Sequence, residues 1–351
     1  MKLLNVHQYK ADLKRAAENA NFNELDGRSV FITGGLGLIG SSIADMLVTY
    51  GKTNVYIGAR NEQEFFQRFG GVDKVGFIPY DALGELKLDF TPDYIIHGAG
   101  PASPELYTAM PTETLLSNFG GVHELLKLAK ENGVKRLLYI SSSEVYGKKL
   151  TDEPFIEGKY GDVDIDSIRS SYIIGKRSAE MLCKAYSSEY DVDTVIVRPG
   201  HIFGPAARRR DKRISSDFAF KAVGGENLEM KSAGTQKRSY CYSVDCAVQI
   251  LTVLIRGEKG QAYNIGHDEI TTVREMAAMF AAAAGVELTV AEPTEAELKA
   301  FNPMNNSALD NSRVRKLGYT DTFSVEEGIR HTVDILREMT GDEQNGYTRF
   351  V

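Results

Sequence analysis

Short apolar runs alternate with longer amphipathic stretches along most of the chain. Val30-Phe31-Ile32 leads into a glycine-rich turn, after which Ile43, Ala44, Met46 and Leu47 recur at helical period. Further runs fall at Val55-Tyr56-Ile57, Val75-Gly76-Phe77-Ile78, Tyr94-Ile95-Ile96-His97, Leu137-Leu138-Tyr139-Ile140 and Thr194-Val195-Ile196-Val197. Leu115 to Lys130 carries Leu115, Leu116, Val122, Leu125, Leu126 and Ala129 on one helical side. Continuous apolar strands interleaved with helices predict an α/β fold, a doubly wound parallel sheet covered by helices on both faces.

Flanking segments read differently. Residues 1–26 form a helical extension, with Leu13, Ala16, Ala17 and Ala20 at helical spacing, best read as packed on the body. Beyond Arg198 the texture loosens: a basic run, Arg208 to Arg213, interrupted only by Asp211, precedes glycines 224, 225 and 234. Asp245 to Leu254 and Val273 to Ala284 read as helices and Ala262 to Gly266 as one more strand. The expected layout is one domain from 27–200 plus 244–266, and a smaller interleaved α/β lobe from 201–243 plus 267–340. Residues 341–351 read as a tail.

Composition narrows the class. The chain has 351 residues, 42% apolar and 25% charged, as expected for a globular protein able to bury its own core. Lys and Arg number 41 against 48 Asp and Glu, a net charge of −7, which disfavours a nucleic-acid partner. The start lacks an apolar leader and no window offers 18 uncharged apolar residues, so neither secretion nor a membrane span is expected. Three cysteines, at 183, 241 and 246, form no CxxC pair, which points to a reducing cytoplasm and to no metal site.

Thr33-Gly34-Gly35-Leu36-Gly37-Leu38-Ile39-Gly40 joins the first strand to the first helix. Glycines at 34, 37 and 40 permit a tight turn, close approach of a pyrophosphate and close helix–strand packing, and the helix N-terminus favours the phosphate charge. With strand before and helix after, this is a Rossmann-type dinucleotide site. The second strand should then present the group that reads the adenosine ribose. Ile57-Gly58-Ala59-Arg60 offers no acid; Arg60 suits a 2′-phosphate and keeps NADP open, and reads equally as a solvated turn residue. Asp81, after the third strand, is placed to meet the adenine, and Gly98-Ala99-Gly100 lets backbone approach the cofactor.

Tyr172 is the one tyrosine of 17 followed by a lysine four residues on, Lys176, at the start of an apparent helix. The spacing puts both on one face, and a nearby ammonium lowers a phenol's pKa, so Tyr172 is expected to work as a base near neutral pH. Ser141-Ser142-Ser143-Glu144 follows the fifth strand, at the carboxyl edge where such sheets place ligands.

TGGLGLIG, HGAGPAS, SSSEVYG, YIIGK, RPGHIFGP, QKRSYCYSVDCA and LDNSRVRKLGY, in that order over roughly residues 28–338, resemble the extended short-chain dehydrogenase/reductases that act on nucleotide sugars. HGAGPASPELY, SSSEVYG and the DKRISSDF…SAGTQKRSYCYSVD stretch resemble the UDP-glucuronate decarboxylases among them. The resemblance implies catalytic roles for Ser142, Glu144, Tyr172 and Lys176. It implies cofactor contacts at Gly34, Gly37, Leu38, Ile39, Gly40, Arg60, Asp81, Ala82, Gly98, Ala99 and Gly100. Substrate contacts are implied at Pro101, Ser103, Asn118, Ser143, His201, Arg213 and Arg238. The Ser143-Glu144 pair resembles the decarboxylase arrangement, where epimerases carry a small residue and 4,6-dehydratases an Asp-Glu pair.

In a decarboxylase, C4 oxidation makes a β-keto acid, carbon dioxide leaves, and the keto sugar is reduced by the same cofactor. Such self-recycling favours NAD. Two positions depart from the pattern: His201 stands where the family has a diphosphate-contacting Asn, and Gly58 where it has an acid. A 4,6-dehydratase, a 4-epimerase, a C4 dehydrogenase/reductase and a non-enzymatic dinucleotide sensor remain alternatives. A homodimer is implied, through helices near 105–130 and 172–190.

Overall fold

The computed structural model describes residues 2–149, 151–209, 211–291 and 304–344. Seven parallel strands form the central sheet: β1 (Ser29–Thr33), β2 (Asn54–Ala59), β3 (Val75–Pro79), β4 (Tyr94–His97), β5 (Arg136–Ile140), β6 (Thr194–Pro199) and, later in the chain, Ala262–Ile265. Counting four short strands of other sheets, β7 (His201–Phe203), β8 (Leu228–Met230), β9 (Lys237–Arg238) and β10 (Tyr240–Tyr242), the last strand of the main sheet is β11. The order is β11-β6-β5-β4-β1-β2-β3, so the chain reverses direction between β1 and β4. That reversal opens the ligand crevice at the carboxyl edge.

Strand alternation divides the core. Val30 and Ile32 of β1 enter one apolar cluster and Phe31 the other. The first is covered by α1 (His7–Glu18), α2 (Leu38–Tyr50) and α8 (Ser243–Arg256). The second lies under α5 (Pro111–Asn132) and α6 (Ser170–Glu189). Helices α3 (Glu62–Phe69) and α4 (Pro104–Ala109) follow β2 and β4. Small pairs lie outside the main sheet: β10 on β7, β12 (Thr271–Thr272) on β9, and β13 (Leu288–Val290) on β8. With them come α7 (Ile214–Val223), α9 (Val273–Ala284), the single turn α10 (Ser312–Arg315) and α11 (Val325–Gln344).

The N-terminal helix is built into the body. Tyr9 Oη donates to Asp45 of α2 (2.8 Å), while Asp12 accepts from Tyr242 Oη (2.9 Å) and meets His331 Nδ1 of α11 (2.9 Å). Ala20, expected within this helix, lies beyond its end. At the other terminus α11 runs to Gln344, four residues into the expected tail; residues 345–351 lie outside the described ones. The helix continues because Ile329, Val333 and Leu336 anchor its apolar stripe, and Gly341 does not take the left-handed conformation that would cap it. Part of the basic run (Arg210), and 292–303 of the expected second lobe, also lie outside the described residues.

Candidate functional site

The glycine-rich turn sits at the reversal point, and its three key glycines do different work. Gly34 has φ +73° and a built Cβ would lie 2.7 Å from the Gly98 carbonyl carbon. At Gly40 a Cβ would fall 2.3 Å from Gly34 O. Both are demanded by the chain itself. Gly37 is not: φ is −83°, and the nearest atom to a built Cβ is Gly34 O at 3.4 Å. It caps α2, so N–H groups of Leu38, Ile39 and Gly40 lack intrahelical partners there. A bare backbone cradle that a side chain would fill, at a helix N-terminus, fits a dinucleotide pyrophosphate.

The ribose end explains the missing acid. A Cβ at Gly58 would lie 2.9 Å from the Phe31 ring, so an acid there has no room. Arg60 is exposed at the end of β2, before Asn61, which caps α3 by accepting the Glu64 N–H (3.0 Å). Asp81 lies after β3, where its carboxylate accepts the Leu83 N–H (3.0 Å), and Ala82 packs toward Gly121 of α5. Gly98 donates its N–H to Thr33 O (3.1 Å), and Ala99 to Thr33 Oγ1 (3.3 Å), holding the β4 turn beside the glycine-rich one. Gly100, at φ +145°, takes backbone that only glycine adopts without strain.

Ser142 caps a short 3-10 turn at Ser143–Tyr146, accepting the Glu144 N–H (3.2 Å). Its hydroxyl acts to lower the Tyr172 phenol. Tyr172 and Lys176 sit in the first two turns of α6, both buried. Lys176 Nζ donates to Ile140 O (2.8 Å) and lies over the Tyr139 ring at 4.8 Å, against 5.9 Å for the Tyr172 ring. This corrects the expected lysine effect. Burial raises the Tyr172 phenol above its ordinary pKa, helped by Glu144 and Tyr107; Ser142 and Arg213 pull the other way. Burial brings Lys176 down to about 8, with Glu180 opposing.

Tyr107, which the sequence did not single out, lies parallel to Tyr172, ring centroids 4.8 Å apart and planes 15° apart. An aromatic at the end of HGAGPASPELY was the available signal. Of the other expected substrate residues, Ser103 caps α4, accepting the Leu106 N–H (3.4 Å), and Pro101 is half-buried beside it. Asn118 is spent internally: its Nδ2 donates to Thr114 O (2.7 Å) and its Oδ1 accepts from Tyr139 Oη (3.2 Å).

The second half of the site gathers cations. His201 Nε2 lies 3.2 Å from Ser307 Oγ, and burial with the charges of Arg238 and Arg213 holds its ring down at about 3, neutral at working pH. Burial lowers Arg238, and Tyr240 and Glu144 partly offset it. Arg213 is engaged by Asp211, whose carboxylate contacts Nε at 2.9 Å. Burial raises that carboxyl, but Arg213 brings it net below its usual range. The charge of Glu144 raises both Tyr172 and Tyr107 and opposes the lowering of Arg238. Among the described residues no cluster of His, Cys, Asp or Glu could hold a metal, and no helix is long and apolar enough to cross a membrane.

A glycine-rich turn at the reversal point of a parallel sheet, with a half-buried serine and a buried tyrosine and lysine at the same sheet edge, defines a dinucleotide-dependent oxidoreductase. The comparisons narrow this. The chain matches the NAD dependent epimerase/dehydratase family over residues 30–266 and belongs to it. It is 34% identical to UDP-glucuronic acid decarboxylase 6 of Arabidopsis thaliana over 262 residues, covering 74% of this chain and 75% of that protein. It is 30% identical to UDP-glucuronic acid decarboxylase 1 of Xenopus tropicalis, covering 92% and 75%. The structure of Thermus thermophilus UDP-glucose 4-epimerase, complexed with NAD, superposes with a TM-score of 0.74 at 25% identity, covering 88% of this chain and 99% of that one. The chain is an NAD-dependent enzyme of the nucleotide-sugar-modifying class.

Proposed function

We propose that the protein decarboxylates UDP-glucuronate to UDP-xylose with a resident NAD. Bound in its oxidised form, NAD supplies the hydride acceptor and later the donor. The chain's residues do the rest. Ser142 holds the sugar C4 oxygen, and Tyr172 takes its proton and later returns it. Lys176, an ammonium below about pH 8, holds its charge in the floor of the site through Ile140 O, under the Tyr139 and Tyr172 rings. Oxidation at C4 places a carbonyl β to the C6 carboxylate, and the C5–C6 bond then breaks to release carbon dioxide. Arg213 and Arg238 bind the anions of the substrate, for which a planar guanidinium is suited. His201, neutral, offers a hydrogen bond where a charged ring would add a third cation.

The observation that carries this reading is the Glu144 carboxylate, whose charge acts on both Tyr172 and Arg238, preceded by Ser143 in place of the aspartate a dehydratase would need. Residues 27–200 with 244–266 would hold NAD and 201–243 with 267–340 the sugar nucleotide. Three free, buried cysteines support a reducing, cytoplasmic setting. A homodimer is part of the proposal, through Phe119 of α5 and Met181 of α6, which are 49% and 65% exposed.

The test is carbon dioxide release from carboxyl-labelled UDP-glucuronate by purified, NAD-loaded protein with no added cofactor. Stoichiometric UDP-xylose supports the proposal. Intact UDP-glucuronate, with turnover of another nucleotide sugar, overturns it.

A further inference from the structure

The loop between β7 and α7 carries the basic run, and Arg208 within it is not simply solvated. Its Nη2 donates to Leu36 O (3.2 Å), inside the glycine-rich turn, and pairs with Glu64 Oε1 (2.9 Å) in the first turn of α3. These are the two elements between which the AMP half of a dinucleotide must lie: the pyrophosphate turn and the ribose end of β2. Leu36 sits between Gly34 and Gly37. Glu64 is tied through its N–H to Asn61, the residue after Arg60. One guanidinium, arriving from beyond β7, therefore joins both rims of the cofactor site.

We propose that Arg208 is a latch across the dinucleotide site that slows NAD release. The arm is short and braced: Ala207 N–H donates to Gly204 O (3.2 Å) and Asp211 N–H to Arg208 O (2.9 Å). Separating the two rims requires breaking at least one of the Arg208 contacts, both of which are made by Nη2. A reaction that returns its hydride to the same substrate never exchanges cofactor, so a release barrier costs it no turnover. The inference rests on the NAD site, not on which sugar is bound.

Retention of NAD tests it directly. Wild type, Arg208→Ala, Glu64→Gln and the control Arg209→Ala are loaded with radiolabelled NAD, and its loss is followed by rapid filtration into excess unlabelled NAD. Arg208→Ala is expected to release NAD roughly tenfold faster, equivalent to about 1.4 kcal/mol. Glu64→Gln moves the rate the same way, and Arg209→Ala, with the same charge removed one residue on, leaves it unchanged. Wild-type release rates in Arg208→Ala or Glu64→Gln overturn the latch, as does equal acceleration in Arg209→Ala. Sugar turnover plays no part in this measurement. An absent latch leaves the decarboxylation reading intact, and a failed decarboxylation leaves the latch intact.

Discussion

Glu180 lies two turns beyond Tyr172 and one beyond Lys176, on the same face of α6. Its carboxylate takes a fork from Arg198 of β6, Nε at 2.9 Å and Nη2 at 2.6 Å. The pair is nearly sealed, with side-chain exposures of 6% and 1%. Arg198 also donates to Tyr146 Oη (3.1 Å) and Tyr160 Oη (2.6 Å). Glu180→Gln keeps the shape and removes the charge, leaving a buried guanidinium facing two phenols and an amide. Breaking one side of such a pair costs about 3–5 kcal/mol, far beyond an exposed ion pair. Urea unfolding followed by circular dichroism reads this as a large midpoint shift at unchanged slope. Glu180→Leu with Arg198→Met removes both charges, so the double variant must lose much less than the two single losses combined. Additive losses, or a Glu180→Gln cost under about 1 kcal/mol, would refute the account.

The same variant has a signature in pH. Glu180 raises Lys176 against the burial that brings it to about 8. Removing that charge moves Lys176 lower still, so less ammonium remains at pH 8 and the alkaline fall in kcat/KM shifts to lower pH. The folded-state value lies below the unfolded one, so Lys176 in the cofactor-free protein costs stability below pH 8. That cost is relieved as pH rises from about 8 toward 10.5. An alkaline limb that stays put or moves upward in Glu180→Gln contradicts this coupling.

The glycine turn gives a contrast within one motif. Gly37→Ala should keep the wild-type melting temperature of NAD-free protein yet weaken NAD binding at least tenfold in calorimetry, whereas Gly40→Ala, with its Cβ 2.3 Å from Gly34 O, should lower the melting temperature itself. Tyr107→Leu removes a stacked ring from Tyr172; pairs of this kind contribute about 0.5–1.5 kcal/mol, so kcat should fall roughly three- to tenfold while NAD retention holds. Phe119→Asp or Met181→Asp puts charge on the exposed face of α5 and α6 and should convert a dimer to a monomer in light scattering, with melting temperature little changed.

The sheet was legible because its signal is local. Every apolar run from Val30 to Val197 is a strand within a residue or two, and the turn at 34–40 announced its own conformation. What depended on distance was not legible. Tyr107 and Tyr172 are 65 positions apart and meet only because α4 packs against α6. Arg198 reads as an ordinary strand-end arginine, and nothing in its neighbours tells that Glu180 will meet it. The role of Arg208 was hidden for the same reason, since only the fold brings Leu36 and Glu64 to it. The tyrosine's pKa shows the limit most sharply. Spacing put an ammonium one turn away and implied a lowered phenol, but the ammonium turned to Ile140 O and burial dominated. Proximity in sequence fixes which groups can meet; the solvent they lose on meeting decides their chemistry.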